Sequence, residues 1–441
     1  MKKIILLLLF TVTYSLLAET PKEIANKVLE DFTTAKYKEV AEKFDTTLTK
    51  LLKPDMLETT WKQLVQVCGN FKKIDENARE QQVLKYNVVH QKLIFENVEL
   101  EAEISIDKDN KVAGFRLIPV ESKEEYVDAE YVRKAQFDEV DVVVSKDEII
   151  KGKLTLPNSA KTKKVPAVVL VHGSGPNDKD ETIFKSKPFR DIAYGLASND
   201  IAVLRYDKRT FADKDIDIKT ITMNEETVYD AVAAVELLNE KYNDKISKIY
   251  VLGHSQGGYM LPRIAKKTNA AKGFISLAGP ARPLEELIEE QIEYILYLPE
   301  NNLTEEQKQT NREKMEEIKV ACKRVKNKDY NINTPNDSLP FGIGAKFWED
   351  LSDYNPVTEF QNEKRPILFI QGGRDYQVTE KDFNLWKNKL NKPKNKFLLF
   401  NDLNHLMQKG EGIATPQEYM EKGYVDERII NSIISWIKEN E

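Results

Sequence analysis

The 441 residues contain only two cysteines, Cys68 and Cys322, and four histidines, His90, His172, His254 and His405. The cysteines fall in segments assigned below to different domains, which excludes a disulfide framework and makes a single bridge unexpected. No His-x-x-His or Cys-x-x-Cys spacing occurs, so no zinc or other metal site is expected. An excess of positive charge is also missing: Lys+Arg 66 against Asp+Glu 72 gives a net charge of -6. A chain that binds nucleic acid leans the other way. Beyond the first 18 residues no stretch approaches the ~20 apolar residues of a membrane helix, so no span is expected in the mature chain. With 41% hydrophobic and 31% charged residues the chain is too apolar for disorder, and its length calls for two or three domains. Its oligomeric state stays open.

Residues 1–18, MKKIILLLLFTVTYSLLA, set two lysines before an apolar run and end on a small residue, Ala18, ahead of Glu19. This is the layout of a secretory signal peptide, and it predicts a protein exported to the periplasm or beyond. Leu16 is untypical three places before a cut, which leaves an uncleaved anchor as the alternative, although the run is short for a span. No cysteine follows, which excludes a lipoprotein anchor.

From 19 to 121 the pattern turns from helical to strand-like. Ile24, Val28, Leu29 and Phe32 recur at spacings of three and four, and Val98, Leu100, Ala102, Ile104 and Ile106 alternate with polar residues before the turn 107–110. The pattern predicts a small α+β domain with helices on an antiparallel sheet. It holds His90, read as a strand residue with a satisfied side chain. Residues 122–139 read as a charged connector of helical character.

From 140 to 441 apolar runs at 167–171, 201–204, 249–252, 274–277, 367–370 and 397–400 alternate with amphipathic stretches. Such runs suit strands buried on both faces of a mostly parallel sheet with helical crossovers. Val228, Ala231, Val232, Val235 and Leu238 form one helical face, with Glu225 and Glu226 at the helix start. Between 277 and 367 far more chain passes than a crossover needs. Residues 283–348 are therefore read as a helical insertion above the strand ends. Its first helix is expected to end at Pro299, and a capping box at Thr304 opens the second.

Gly253-His-Ser255-Gln-Gly257 follows the run 249–252 and precedes a helix-compatible stretch. That setting is what the G-x-S-x-G turn requires, with glycines allowing a sharp bend that exposes the Ser255 oxygen. A serine needs a base. His90 lies in the other domain, His172 opens a loop upstream, and His254 adjoins the serine and points away; His405 remains, just past the run 397–400. The order Ser, acid, His restricts the acid to the interval between them. Asp375 fits, since it follows the run 367–370 and Gly372-Gly373. Asp382 sits on a predicted helix, and Asp402 is too near His405 in sequence to reach round its ring. His172-Gly-Ser174-Gly-Pro176 follows the run 167–171, where one backbone N–H of an oxyanion hole belongs; Ser174 and Gln256 are the expected donors. The loop lacks the Lys-Ser/Thr of a P-loop and the G-x-G-x-x-G spacing, which argues against phosphate. Arg205-Tyr-Asp-Lys-Arg209 reads as scaffold with an Asp207–Arg209 pair, and Tyr206 is a candidate for the substrate pocket.

HGSGP, RYDKR, GHSQGG, GGRDYQV and LNH, in that order, resemble the α/β-hydrolase superfamily over about 140–441. HGSGPNDKDET with KPFRDIAYGLAS, and a preceding module ending in KVAGFRLIP, are similar to the EstD-like bacterial carboxylesterases, in which a small domain of unknown function precedes the hydrolase. The resemblance implies a serine esterase acting on a small-molecule ester without a cofactor, with Ser255, Asp375 and His405 as triad. Lys179 in place of a common arginine and Thr210 in place of a glycine are its departures, and neither touches the triad. A peptidase similar to the prolyl oligopeptidase group, although the N-terminal module is too short for a propeller, and an acyl thioesterase are the rival enzyme readings. An idle binding protein is the non-enzyme reading.

Overall fold

A computed structural model describes residues 19–441 except 84, 121–125, 218–219 and 299–304. The leader 1–18, Pro299 and the capping threonine Thr304 lie outside the described residues. The chain divides into two compact units, Met1–Lys123 and Glu124–Glu441.

In the first unit, Thr20 and Glu23 form a capping box that starts the helix Pro21–Thr33, whose buried stripe is Ile24, Ala25, Val28, Leu29 and Phe32. It and the helix Pro54–Cys68 cover an antiparallel sheet of β1 (Phe71–Ile74), β2 (Arg79–Val83), β3 (Tyr86–Phe95), β4 (Glu99–Ile106) and β5 (Val112–Pro119). The order is β1-β3-β4-β5, with β2 also on β3. Phe32 meets Trp61 and Phe115 edge-on, each at 5.2 Å, so the core is aromatic at the helix–sheet seam. Leu100, Ala102, Ile104 and Ile106 are buried, as the alternation predicts. His90 stands opposite Glu103 across the β3–β4 pair, with Nδ1 3.1 Å from Glu101.

The second unit is built on an eight-stranded sheet. Its strands are β6 (Phe137–Val143), β7 (Lys151–Pro157), β8 (Val165–Val171), β9 (Ala202–Tyr206), β10 (Ile246–His254), β11 (Ala271–Leu277), β12 (Ile367–Gly372) and β13 (Lys396–Phe400). The order is β13-β12-β11-β10-β8-β9-β7-β6. β8 to β13 run parallel to one another, and β7 runs antiparallel to β6 and β9. The parallel strands are the apolar runs of the sequence. One sheet face packs Val169, Val251 and Phe369 against the helices Tyr229–Lys241 and Gln256–Lys267; the other packs Val168, Leu252 and Leu368 against Pro188–Ala197 and Glu427–Glu439. Burying each such side chain contributes about 1.5–3 kcal/mol, which fixes the sheet as a rigid platform.

Two expectations change, and two strands are added. Residues 122–125 of the expected connector 122–139 lie outside the described residues, and the rest, 126–139, is not a free helical connector. Tyr126 O–H donates to Asp191 at 2.9 Å, Tyr131 O–H donates to the Val425 carbonyl at 2.8 Å, and Asp128 pairs with Arg190 at 2.8 Å. Asp128, Tyr126 and Tyr131 are thus docked on the sheet unit, and 137–139 already belong to β6. The strands β6 and β7 carry no apolar run; β6 is a mostly exposed sheet edge in which only Phe137 and Val142 are buried. The first inserted helix is Leu284–Leu296 and stops short of Pro299. Gln291 donates to the Gln377 carbonyl and Tyr294 to the Ala414 carbonyl, both at 2.8 Å, so this helix lies on the loops that follow β12 and β13.

Candidate active site

β8 continues to β9 on one side while β10 lies on its other side, so the loops after β8 and β10 open at the point where the strand order reverses. β10 ends at His254 and the next helix begins at Gln256, leaving Ser255 alone to make the turn with φ 51 and ψ -116. A non-glycine residue in this region costs on the order of 1–3 kcal/mol and persists only where the surroundings over-determine it. Here Ser255 N–H donates to the Leu277 carbonyl and its own carbonyl accepts from Tyr259 N–H, both at 2.9 Å. The flanking glycines permit the close approach: a Cβ at Gly257 would lie 2.2 Å from the Val171 oxygen, and one at Gly253 2.3 Å from the Gly257 carbonyl.

Loops after β12 and β13 bring in the other two groups. His405 Nδ1–H donates to Asp375 Oδ2 at 2.7 Å, and both side chains are buried. The same carboxylate accepts Gln377 N–H at 2.8 Å, Val378 N–H at 2.9 Å and Gln371 Nε2–H at 3.0 Å. Four donors fix its orientation, and the pairing leaves His405 Nε2 with a free lone pair for a hydroxyl proton. Among the described residues Ser255 Oγ makes no hydrogen bond to His405, a contact that commonly tightens only with substrate. Asp402 is at the surface with Arg428 at 2.8 Å, and Asp382 is held by Arg282, so neither serves His405.

The loop after β8 lies against the nucleophile, since a Cβ on Gly173 would stand 3.3 Å from Ser255 Cβ. Gly173 N–H donates to Glu181 Oε1 at 2.7 Å, which leaves the next amide, Ser174 N–H, as that loop's donor. Gln256 N–H is the first of its helix, and its side chain donates to Thr227 Oγ1 at 3.0 Å. Burial leaves His172 neutral, with its pKa down at about 4, and its Nε2–H donates to the Asp178 carbonyl at 3.1 Å. Tyr206 is buried in the core with its ring edge-on to His172 at 5.3 Å; the structure places it beneath the oxyanion loop and does not bring it to Ser255.

Sequence reasoning missed two buried groups. Glu181 Oε2 is 2.9 Å from His254 Nδ1, and His254 Nε2–H donates to the His405 carbonyl at 3.1 Å. Burial opposes charge on both members, but their mutual attraction prevails, holding the His254 pKa above and the Glu181 pKa below the ordinary values. Glu181 thereby ties together the oxyanion loop, the turn and, through His254, the histidine loop. Lys208 is the second: its Nζ donates to the Gly173 carbonyl at 2.8 Å and pairs with Glu226 at 2.7 Å. The expected Asp207–Arg209 pair does not form. Asp207 accepts from Lys179, and Arg209 pairs with Asp230 and Asp147. Glu226, read as a helix-start charge, is instead buried in a single π turn, Asn224–Val228. The only sequence signal was the dense charge of DKDET, in the loop that follows β8, and of RYDKR, at the end of β9.

An apolar wall adjoins the catalytic loops. Tyr294 stacks on Tyr376 at 4.8 Å, Tyr376 lies 6.2 Å from Tyr419, and Leu406 joins the cluster.

Residues 25–115 match a family described as a protein of unknown function, DUF3887, and residues 162–410 match the family described as serine aminopeptidase, S33. The chain is 41% identical over 384 residues to esterase EstD of Thermotoga maritima, covering 86% of this chain and 86% of that protein. Among solved structures it is similar to the Pyrococcus furiosus esterase PF2001, with 17% identity, a TM-score of 0.43 and coverage of 69% and 91% of the two chains. Est1E from Butyrivibrio proteoclasticus shows 15% identity, a TM-score of 0.41 and coverage of 68% and 98%.

Proposed function

The chain belongs to the EstD-like group of the serine aminopeptidase S33 family of α/β-hydrolases, and from that premise we propose that it is a serine carboxylesterase whose nucleophile is Ser255, base His405 and orienting acid Asp375. The observation that carries the assignment is the Asp375–His405 hydrogen bond at 2.7 Å, formed by loops on the same sheet edge as the strained Ser255 turn. Ser255 Oγ bonds to the ester carbon as its proton passes to His405 Nε2, and the carbonyl π pair moves onto oxygen, facing Ser174 N–H and Gln256 N–H. Collapse breaks the bond to the alcohol oxygen, which takes the proton from His405. Water then repeats the sequence on the acyl-enzyme, releasing the acid. These steps need no metal or organic cofactor. Small esters are the proposed substrates, with selectivity set by the tyrosine wall to which the insertion contributes Tyr294.

The family description raises aminopeptidase activity as a second reading. An aminopeptidase needs a free carboxylate for the substrate amine; Glu181, Asp382, Glu290 and Glu418 are engaged by His254, Arg282, Lys381 and Arg374, which leaves carboxylates of the inserted helix such as Glu285 for that role. A panel of p-nitrophenyl esters run beside aminoacyl-p-nitroanilides decides: turnover of esters alone is expected, and turnover of anilides alone reverses the reading.

Export through the leader 1–18 is proposed from its composition, and N-terminal sequencing of the mature protein is expected to begin at Glu19. The two buried cysteines suit an oxidising compartment, since burial pushes Cys68 up to about 11 and Cys322 up to about 12, leaving both thiols unreactive. Among the described residues no helix is long and apolar enough to cross a membrane.

A further inference from the structure

The loop after β8 must present one N–H to a developing oxyanion, yet it is the glycine-rich segment HGSGP, whose peptides turn over easily unless held. The relevant donor, Ser174 N–H, shares a peptide unit with the Gly173 carbonyl. In a trans peptide the two point in opposite directions, so whatever anchors the carbonyl also aims the amide. The closest anchor here is a buried ammonium, Lys208 Nζ, 2.8 Å from the Gly173 oxygen, with Asn177 Nδ2–H donating to the same oxygen at 3.3 Å. Lys208 is itself fixed, because its N–H donates to the Asn177 carbonyl at 2.9 Å and its Nζ pairs with Glu226 at 2.7 Å.

Burying an ammonium and a carboxylate together is costly, and an apolar pair of similar volume would serve a scaffold at least as well. What an apolar pair would not do is hold one carbonyl in one orientation. The partner's position adds to this. Glu226 and Thr227 sit in the same π turn, and Thr227 Oγ1 accepts the side chain of Gln256, the residue that supplies the other amide. One irregular turn thus braces both halves of the hole, in keeping with the frequency of π turns at functional sites. The preceding peptide is held from the opposite direction by Glu181, which accepts Gly173 N–H at 2.7 Å.

We infer that Lys208, held by Glu226, is a positioning residue that locks the Gly173–Ser174 peptide with its amide turned toward the reacting carbonyl, an inference that rests on Ser255 being the nucleophile. Lys208 does not touch substrate. Its contribution is realised only when charge develops on the carbonyl oxygen, so it enters kcat and leaves ground-state binding alone.

The test uses the full chain with Lys208→Met and with Lys208→Met/Glu226→Gln, which removes both buried charges together and keeps the interior neutral. On p-nitrophenyl acetate kcat is expected to fall by about 10²-fold, the lower end of what losing one oxyanion donor costs, with KM and the midpoint of the pH profile unchanged. Affinity for an aryl trifluoromethyl ketone, which adds Ser255 Oγ to its carbonyl carbon and leaves an oxyanion in the hole, is expected to drop by the same factor. A folded double variant with wild-type kcat and wild-type ketone affinity overturns the inference. Where neither variant folds, the crystal structure of the wild-type ketone adduct decides. The oxyanion is expected about 3 Å from Ser174 N, with Lys208 still on the Gly173 oxygen. An adduct on Ser255 whose oxygen lies away from Ser174 N overturns this inference alone, whereas a ketone bonded elsewhere overturns the nucleophile assignment itself.

Discussion

The two units differ most in what they bury. Among the described residues the first unit buries two polar side chains, Asp31 and Gln91, and keeps its other charge in surface pairs such as Arg79–Glu101 and Lys92–Glu99. The second unit buries His172, Glu181, Lys208, Glu226, His254, Asp375 and His405 in or beside the loops and the π turn around Ser255, and Asp191, Arg205, Asp230 and Asp382 elsewhere. Apolar packing holds both sheets together, so stability does not explain the contrast. A surface pair contributes about 0–1 kcal/mol, whereas stripping one partner from a buried pair costs about 3–5 kcal/mol. Around Ser255 the buried charge orients the groups that would react; elsewhere it fixes loops and segments, as Asp191 does by accepting from Val425 N–H and Tyr126 O–H.

The contrast is broken most sharply at its centre. Ser255→Ala is expected to leave the fold intact and to lower ester turnover by about 10⁶-fold, on the scale seen when a serine protease loses its nucleophile. Next comes Asp375→Asn, expected to lose roughly 10⁴-fold because the amide favours the wrong histidine tautomer. Asp402→Asn, at the surface with Arg428, is expected to retain turnover in the same assay.

The boundary between the units gives a third test. A chain beginning at Glu124 is expected to fold and hydrolyse small esters, because every group in the proposed mechanism lies beyond that point. A chain beginning at Ala135 loses Tyr126, Asp128 and Tyr131, and with them partners of Asp191, Arg190 and the Val425 carbonyl. Leaving a buried group such as Asp191 or the Val425 carbonyl without its partner costs about 1–3 kcal/mol, so the melting temperature of this shorter chain is expected to fall well below that of the longer chain. Equal melting temperatures would mean that the segment is a passive connector after all.

Asp191 sharpens the same boundary through pH. Burial raises its pKa from 3.8 to about 7, although Val425 N–H and Tyr126 O–H donate to it. A carboxyl whose folded value lies above its unfolded one contributes stability in full below about pH 4, and that contribution is lost as the pH rises through about 7. In thermal unfolding at pH 5 and pH 8, Asp191→Asn is therefore expected to narrow the gap between the two melting temperatures. The smallest effect belongs to the first unit: Glu101→Gln removes a surface partner of Arg79 and His90 and is expected to change stability by less than about 1 kcal/mol.

Much of this was legible in the sequence, and the reasons are local. The six parallel strands announce themselves as apolar runs, and Ser255, Asp375 and His405 follow from strand ends, turn glycines and chain order. β6 and β7 carry no such run, so they were not seen. Lys208 and Glu181 were missed for a different reason. Their partners lie 18 and 73 residues further along, at Glu226 and His254, and a lysine within RYDKR looks like any solvated charge until the fold covers it. The segment 122–139 misled in the same way, because docked and solvated charges have the same composition.

The central claim, that the buried polar network serves a nucleophile at Ser255, is tested most directly by labelling the full chain with an organophosphonate probe and mapping the adduct by mass spectrometry. The expected result is one adduct, on the peptide carrying Ser255, absent from Ser255→Ala and strongly slowed in Asp375→Asn. Undiminished labelling of Ser255→Ala, or an adduct on a different serine of the wild-type chain, would contradict it.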